Sequence, residues 1–287
     1  MASHFDHDVL SRRWRLIETT ACEGSRNMAI DQTLLESAEA EGARFVPTLR
    51  FYRWSPPAIS LGRFQDISDI DVDACSSKGI DVVRRPTGGK CILHLDDFTY
   101  SLVLAPDIGL PDNVVEAYTL LCQGIVESLR RLGLNAVIQS RMSDDYSSGG
   151  GACFSAVTQA DLECDGRKIC GSAQVRRSGA VLQHGSILMV DNSRLLFDLL
   201  SYQGRERRER ALRDYRQRCV DLNSLGCRAS WDDIAACFKD GFSHSFDIEL
   251  ESGRLTGGEE AGISMLEKTY SSRDWLMGTT SHGYRLS

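Results

Sequence analysis

The chain reads as an α/β protein of the α+β kind, a mixed β-sheet flanked by helices. Three observations carry that expectation. Strand-like and helix-like stretches alternate along the 287 residues, several of the strand-like stretches are joined by short turn signals, and apolar residues elsewhere recur at helical spacing. A chain of this length can bury most of its apolar surface, as one large domain or two small ones.

The elements follow in order. Ile30, Leu34, Leu35 and Ala38 recur at helical spacing and predict a helix over 28–41. Strand patterns follow over 49–54, 58–61, 79–85 and 98–104. Val114, Val115, Tyr118, Leu121, Cys122, Ile125 and Leu129 line one face of a helix over 112–132, which Gly133 is placed to end. Further strands are expected over 136–139, 160–164, 168–176 and 180–190. Asp165-Gly166 is a strong hairpin signal between two of them, and Ser178-Gly179 marks the next reversal. Helices are expected over 193–201, 205–220, 230–242 and 258–269, with Ser193 and Ser230 as N-caps. Hairpin links of this kind imply a mixed sheet and not a doubly wound one. No internal repeat is present, and the one low-complexity piece is Ser147–Gly151.

Composition narrows the function classes. Hydrophobic residues at 42% and charged residues at 25% are ordinary for a soluble globular protein. A net charge of −7 argues against general nucleic-acid binding. The N-terminus Met1-Ala2-Ser3-His4-Phe5-Asp6 has neither a basic nor an apolar signal region, and no apolar run reaches membrane-spanning length. A cytoplasmic protein with no membrane partner is expected. The ten cysteines include no C-x-x-C pair and no zinc spacing, so no metal site is expected and most should serve as small buried hydrophobes. Cys122 and Cys237 fall in helical patterns and read as packing residues. Cys153 differs, because the Ser147–Gly151 tract before it is neither helix- nor strand-like and would leave the thiol accessible.

Four motifs remain. Arg84-Arg85-Pro86-Thr87-Gly88-Gly89-Lys90 is either a basic surface hairpin or a loop whose bare backbone and guanidinium groups close on a carboxyl, thioester or phosphate. Lys168 opens a strand, where a lysine is commonly a solvated edge charge; here Gly171, Ser172 and Ala173 follow and leave room beside the strand. His184 and Gly185 stand inside the next strand, where the histidine is either a hydrogen-bonded structural residue or part of a pocket wall. The run 205–218 holds seven arginines and three acids on an otherwise acidic chain: a solvated helix laced with ion pairs, or a docking surface for an acidic partner.

Taken in order, N-M-A-I-D at 27–31, R-R-P-T-G-G-K-x-x-x-H at 84–94, G-R-K-x-x-G-S-A-Q at 166–174 and L-Q-H-G-S at 182–186 resemble the biotin/lipoate ligase and lipoyl-transferase superfamily. The resemblance spans roughly 14–275 and implies a single catalytic domain there, with an N-terminal extension at 1–13 and a tail at 276–287. Cys153, some fifteen residues before Lys168, is similar to the pattern of the cysteine-dependent octanoyltransferases. That resemblance implies transfer of an octanoyl or lipoyl group from acyl carrier protein, through a Cys153 thioester, to a lysine of a lipoyl domain such as the glycine cleavage H protein. It implies catalytic roles for Cys153 and Lys168, and an acyl site walled by Arg85, Thr87, Gly88, Gly89, His94, Gly171, Ser172, Ala173, His184 and Gly185. No cofactor is required in that reading. Two alternatives stand beside it: an ATP-dependent lipoate–protein ligase, which would take ATP and Mg, and a non-catalytic lipoyl-domain binding module.

Overall fold

The computed structural model describes residues 12–106, 108–138 and 161–278. Eleven strands and eight α-helices are placed among them. The chain enters through β1 (Arg13–Glu18) and α1 (Gly24–Glu41), then runs through β2 (Thr48–Tyr52), β3 (Ala58–Leu61), α2 (Val72–Ser77), β4 (Asp81–Arg84), β5 (Ile92–His94) and β6 (Asp97–Leu104). Helix α3 (Val114–Arg131) leads to β7 (Ala136–Ile138); β8 (Leu162–Cys164), β9 (Arg167–Arg177) and β10 (Ala180–Leu188) form a meander. The last part holds α4 (Ser193–Leu199), α5 (Arg205–Arg218), α6 (Trp231–Phe246), β11 (Glu249–Ser252), α7 (Gly257–Tyr270) and α8 (Arg273–Leu276).

Eight strands make one mixed sheet in the order β11-β1-β2-β6-β10-β9-β8-β7, and β4-β3-β5 make a second. The parallel pairs are β1 with β2 and with β11 in the large sheet and β3 with β4 in the small one, while the meander is antiparallel throughout. The expected hairpins are present, with Asp165-Gly166 and Ser178-Gly179 all at positive φ. Beneath the large sheet, Phe51, Phe98 and Tyr100 pack against Phe238 and Phe242 of α6. Helices α3 and α6 come close because Gly124 faces Phe242 and Gly241 faces Ser128; a Cβ at Gly241 would overlap the Ser128 hydroxyl.

The opposite face of the large sheet is unusual in being polar. Arg50, Ser101, His184 and Ala173 stand side by side across β2, β6, β10 and β9, and Tyr52, Thr99, Ser186 and Gly171 form the next row. Side chains alternate along a strand, so both rows point to the same side. Helix α1 covers that side, with every residue from Asn27 to Leu35 buried.

Several expectations are corrected here. Helix α1 starts four residues earlier than 28, and Asn192, not Ser193, occupies the N-cap of α4; the Ser193 amide donates instead to Asp191. Ser230 does cap α6, in a reciprocal box with Asp233, and Gly133 at φ 81° follows α3. Cys122 is fully buried, whereas Cys237 is only half-buried. The twin-arginine segment is no surface hairpin: Arg84 and Arg85 are 1% and 3% exposed, and β4 and β5 on either side do not pair with each other but flank β3.

Candidate active site

A narrow cavity lies between the polar face of the large sheet and the small sheet, with about 330 Å³ of empty space when its solvent-open mouth is included. Seven residues expected from the sequence line it: Arg85, His94, Gly171, Ser172, Ala173, His184 and Gly185. Met28, Tyr52, Trp54, Ser60, Ile92 and Thr99 complete the wall and were not expected. Glycines keep it open. A side chain at Gly185 would run into Ser172, Gly171 and Tyr100, and a Cβ at Gly62 would overlap the Gly89 carbonyl, so the loop 86–90 can close down only on a bare backbone.

Two carboxylate–imidazole–hydroxyl chains support the wall. Asp31 in α1 accepts from Arg50 Nη1 at 2.7 Å, Ser101 Oγ at 2.8 Å, Tyr52 Oη at 3.0 Å and His184 Nδ1 at 3.0 Å. Burial pushes the Asp31 carboxyl up, but Arg50 and the His184 hydrogen bond outweigh it and hold the group below its ordinary value. Asp31 is therefore an acceptor, His184 carries its proton on Nδ1, and Nε2 accepts from Thr87 Oγ1 at 2.6 Å. Burial keeps the His184 imidazole below its ordinary pKa despite the opposing pull of Asp31, so it is neutral near pH 7. In the second chain Asp97 Oδ2 accepts from His94 Nδ1 at 2.7 Å, Thr99 Oγ1 at 2.9 Å and Ser186 Oγ at 2.6 Å. His94 Nε2 then faces Ser60 Oγ at 2.9 Å. Trp54 stacks on His94 with centroids 3.9 Å apart, and its indole N–H donates to Thr99 at 2.9 Å.

The guanidinium groups organise the loop. Arg85 donates to the carbonyls of Ser60, Gly88 and Lys90, each at 2.8 Å, while its side chain lines the cavity. Arg84 points away, to the carbonyls of Gly62, Arg63, Gln65 and Leu276. Thr87 joins the site through His184, and Gly88 and Gly89 lie in the loop above it.

Lys168 is buried, at 2% exposure, and its Nζ is 2.8 Å from Asp161 Oδ1. It is not a solvated edge charge. It stands three residues before Gly171 on β9, and its carbonyl accepts from the Val220 amide at 2.9 Å just after α5. Its side chain is not part of the cavity wall. Cys153 lies outside the described residues. Sequence reasoning missed Asp31, Asp97 and Asp161, the three carboxylates that orient these groups. One signal was available for Asp31: Asn27 and Asp31 are polar residues at i and i+4 that fall on the same stripe of the helix as the apolar Ile30, Leu34, Leu35 and Ala38.

A glycine-bearing loop closed over a buried histidine–carboxylate array, on a mixed sheet of this order, defines an α/β catalytic domain. Residues 23–243 match the family described as the lipoyl protein ligase A/B catalytic domain. The chain belongs to that family. It is 39% identical to an octanoyltransferase LipM of Exiguobacterium over 92% of this chain and 97% of the relative. It is 38% identical to the octanoyltransferase LipM of Geobacillus kaustophilus over 91% and 97%. Among solved structures it resembles the bi-partite lipoate protein ligase of Thermoplasma acidophilum, described with its E2 lipoyl domain, with a TM-score of 0.79, 25% identity and coverage of 94% and 98%. A lipoate-protein ligase A solved with bound ATP gives a TM-score of 0.76 at 26% identity, covering 93% and 100%.

Proposed function

We propose that this chain is an acyltransferase of lipoate biosynthesis that moves an octanoyl group from acyl carrier protein, through a thioester on Cys153, to a lysine of a lipoyl domain such as the glycine cleavage H protein. The observation that carries the reading is the likeness to octanoyltransferases along nearly the whole chain, together with a cavity lined by seven of the ten residues the resemblance assigned to the acyl site.

The chemistry is a double displacement. The Cys153 thiolate attacks the carbonyl carbon of the donor thioester; a C–S bond to Cys153 forms, the C–S bond to the carrier breaks, and the carrier thiol leaves with a proton. Exchange of one thioester for another is nearly isoenergetic, so no nucleotide is needed. The acceptor amine then attacks the same carbon; the C–N bond forms, the C–S bond to Cys153 breaks, and the proton that the amine gives up passes to the departing Cys153 sulfur. A buried cation beside a thiol favours the thiolate, and Lys168, held by Asp161, is the cation this chain offers. His184 and His94, each with Nδ1 held by a carboxylate, keep Thr87 and Ser60 in place beside the acyl cavity.

The likeness to a ligase solved with ATP favours a second reading, an ATP-dependent ligase. Intact mass spectrometry after incubation with octanoyl-acyl carrier protein, with and without ATP, separates the two. The transferase reading expects an octanoyl adduct without ATP that hydroxylamine removes and that Cys153→Ala lacks. An adduct surviving in Cys153→Ala removes the thioester, and a strict ATP requirement moves the chain to the ligase reading.

A further inference from the structure

The Lys168 strand is joined directly to the most basic element of the molecule. Helix α5 carries seven arginines against three acids in a chain whose net charge is −7. It buries Leu212 and Tyr215 and turns the opposite face to solvent. Part of its charge is used internally: Arg208 pairs with Asp198, Glu209 with Arg194, and Arg216 with Asp191. Arg207, Arg210 and Arg213 are exposed, and no ion pair to a described residue holds any of them; Arg207 donates to Gln203 at 3.1 Å. Glu206 and Asp214 share this face, leaving three cations to two acids there. Glu206 and Asp214, each four residues from Arg210, offset part of the repulsion among these arginines and leave the face with a net positive charge.

We infer that the exposed face of α5, through Arg207, Arg210 and Arg213, is the docking surface for an acidic acceptor domain that presents its lysine to the site. The inference rests on the transferase reading and names the partner of that site. Charge decides the location, because an acidic partner approaching a chain of net charge −7 is repelled over most of its surface and attracted at this helix. Connectivity decides the relevance: α5 ends at Arg218, Cys219 bridges to Lys168, and the Val220 amide donates to the Lys168 carbonyl. A domain seated on α5 sits at the end of the strand that carries Lys168. The acceptor is preferred over the donor because the related Thermoplasma ligase is described together with its lipoyl domain.

The test is a titration of fluorescently labelled apo glycine cleavage H protein with the full-length enzyme, which needs no turnover. Affinity should fall as salt rises from about 20 to about 300 mM. Arg207→Glu/Arg210→Glu/Arg213→Glu should weaken binding by about tenfold or more and flatten that salt dependence. Acylation of the enzyme by octanoyl-acyl carrier protein should stay unchanged. Should the charge-reversed enzyme unfold, the matching arginine-to-glutamine triple decides the matter, since it removes attraction without adding repulsion. Unchanged affinity in the folded variant overturns the inference. So does a loss confined to the carrier-protein step, which would hand the surface to the donor. Retained, salt-sensitive binding without any acyl transfer would instead overturn the transferase reading and leave the docking surface standing.

Discussion

His184 holds an imidazole in the one protonation state that serves two neighbours at once. Its Nδ1–H goes to Asp31 and its Nε2 accepts from Thr87, so protonation would turn the acceptor into a donor and oblige the Thr87 hydroxyl to turn and accept. Burial is the largest influence and depresses the pKa, Asp31 opposes it, and Arg85 and His94 add to the depression. The sign follows. The unfolded chain binds a proton at this residue near pH 6.5, and the folded chain only at lower pH. The contribution to stability is complete above about pH 6.5 and is lost as pH falls from there toward the folded value. Asp31 is shifted downward too, so its contribution is lost only below its own ordinary value of 3.8 and does not overlap that window. Urea unfolding between about pH 7 and about pH 5 should give wild type a steeper loss than His184→Gln, by at most about 1.4 kcal/mol per pH unit for one proton. Equal slopes would mean that the imidazole is not depressed. The histidine itself was visible in the L-Q-H-G-S motif. Its state was not, because the carboxylate that sets it lies 153 residues away.

Arg84 does at the level of elements what His184 does at the level of atoms. Nη1 donates to the carbonyls of Gly62, Arg63 and Gln65, while Nε and Nη2 both reach Leu276 at the end of α8. Trp275 returns its indole N–H to the Arg84 carbonyl at 2.9 Å, and Arg63 stacks over the Trp275 ring. One planar fork thus ties β4, the loop after β3 and the last helix together. Lysine keeps the charge but cannot span both directions. Arg84→Lys is expected to destabilise the fold by about 2–4 kcal/mol, from carbonyls left buried without donors. It should also speed proteolysis within 270–278. Urea unfolding with peptide mapping of the first cuts checks both, and wild-type behaviour in both would reduce the fork to a redundant contact. The sequence showed the arginine and suggested a surface or a ligand for it, since its partners are main-chain atoms that no side-chain pattern reveals. The same reason hides β1, β5 and β11. Arg13–Glu18 and Glu249–Ser252 become strands by pairing in parallel across more than two hundred residues, and Ile92–His94 is three residues long. The long meander was legible because its signals are local: positive-φ pairs at Asp165-Gly166 and Ser178-Gly179.

At the scale of the whole molecule, the cavity is a seam between two sheets. Ser60, Ile92 and His94 come from the small one, and Thr99, Gly171, Ala173 and His184 from the large one. Motifs that each sit on one strand could be read singly from the sequence. Met28, Tyr52, Trp54 and Thr99 could not, because they reach the wall only through sheet register and through the packing of α1. The seam has a mechanical consequence. An acyl chain that fills it contacts both sheets at once and should restrain their relative opening, adding to the polar bridges His184–Thr87 and His94–Asp97 and to Trp54 between His94 and Thr99. Octanoate is a suitable probe, since it carries the acyl chain without the chemistry. At about a hundredfold excess over its dissociation constant it should stabilise the fold by about 2.7 kcal/mol, the mass-action limit for a ligand that binds only the folded state. Hydrogen exchange should then show added protection in β3 and β5 together with β9 and β10, in one cooperative step. Protection restricted to one sheet would mean that the chain lies elsewhere and that the cavity between the sheets is not the acyl site.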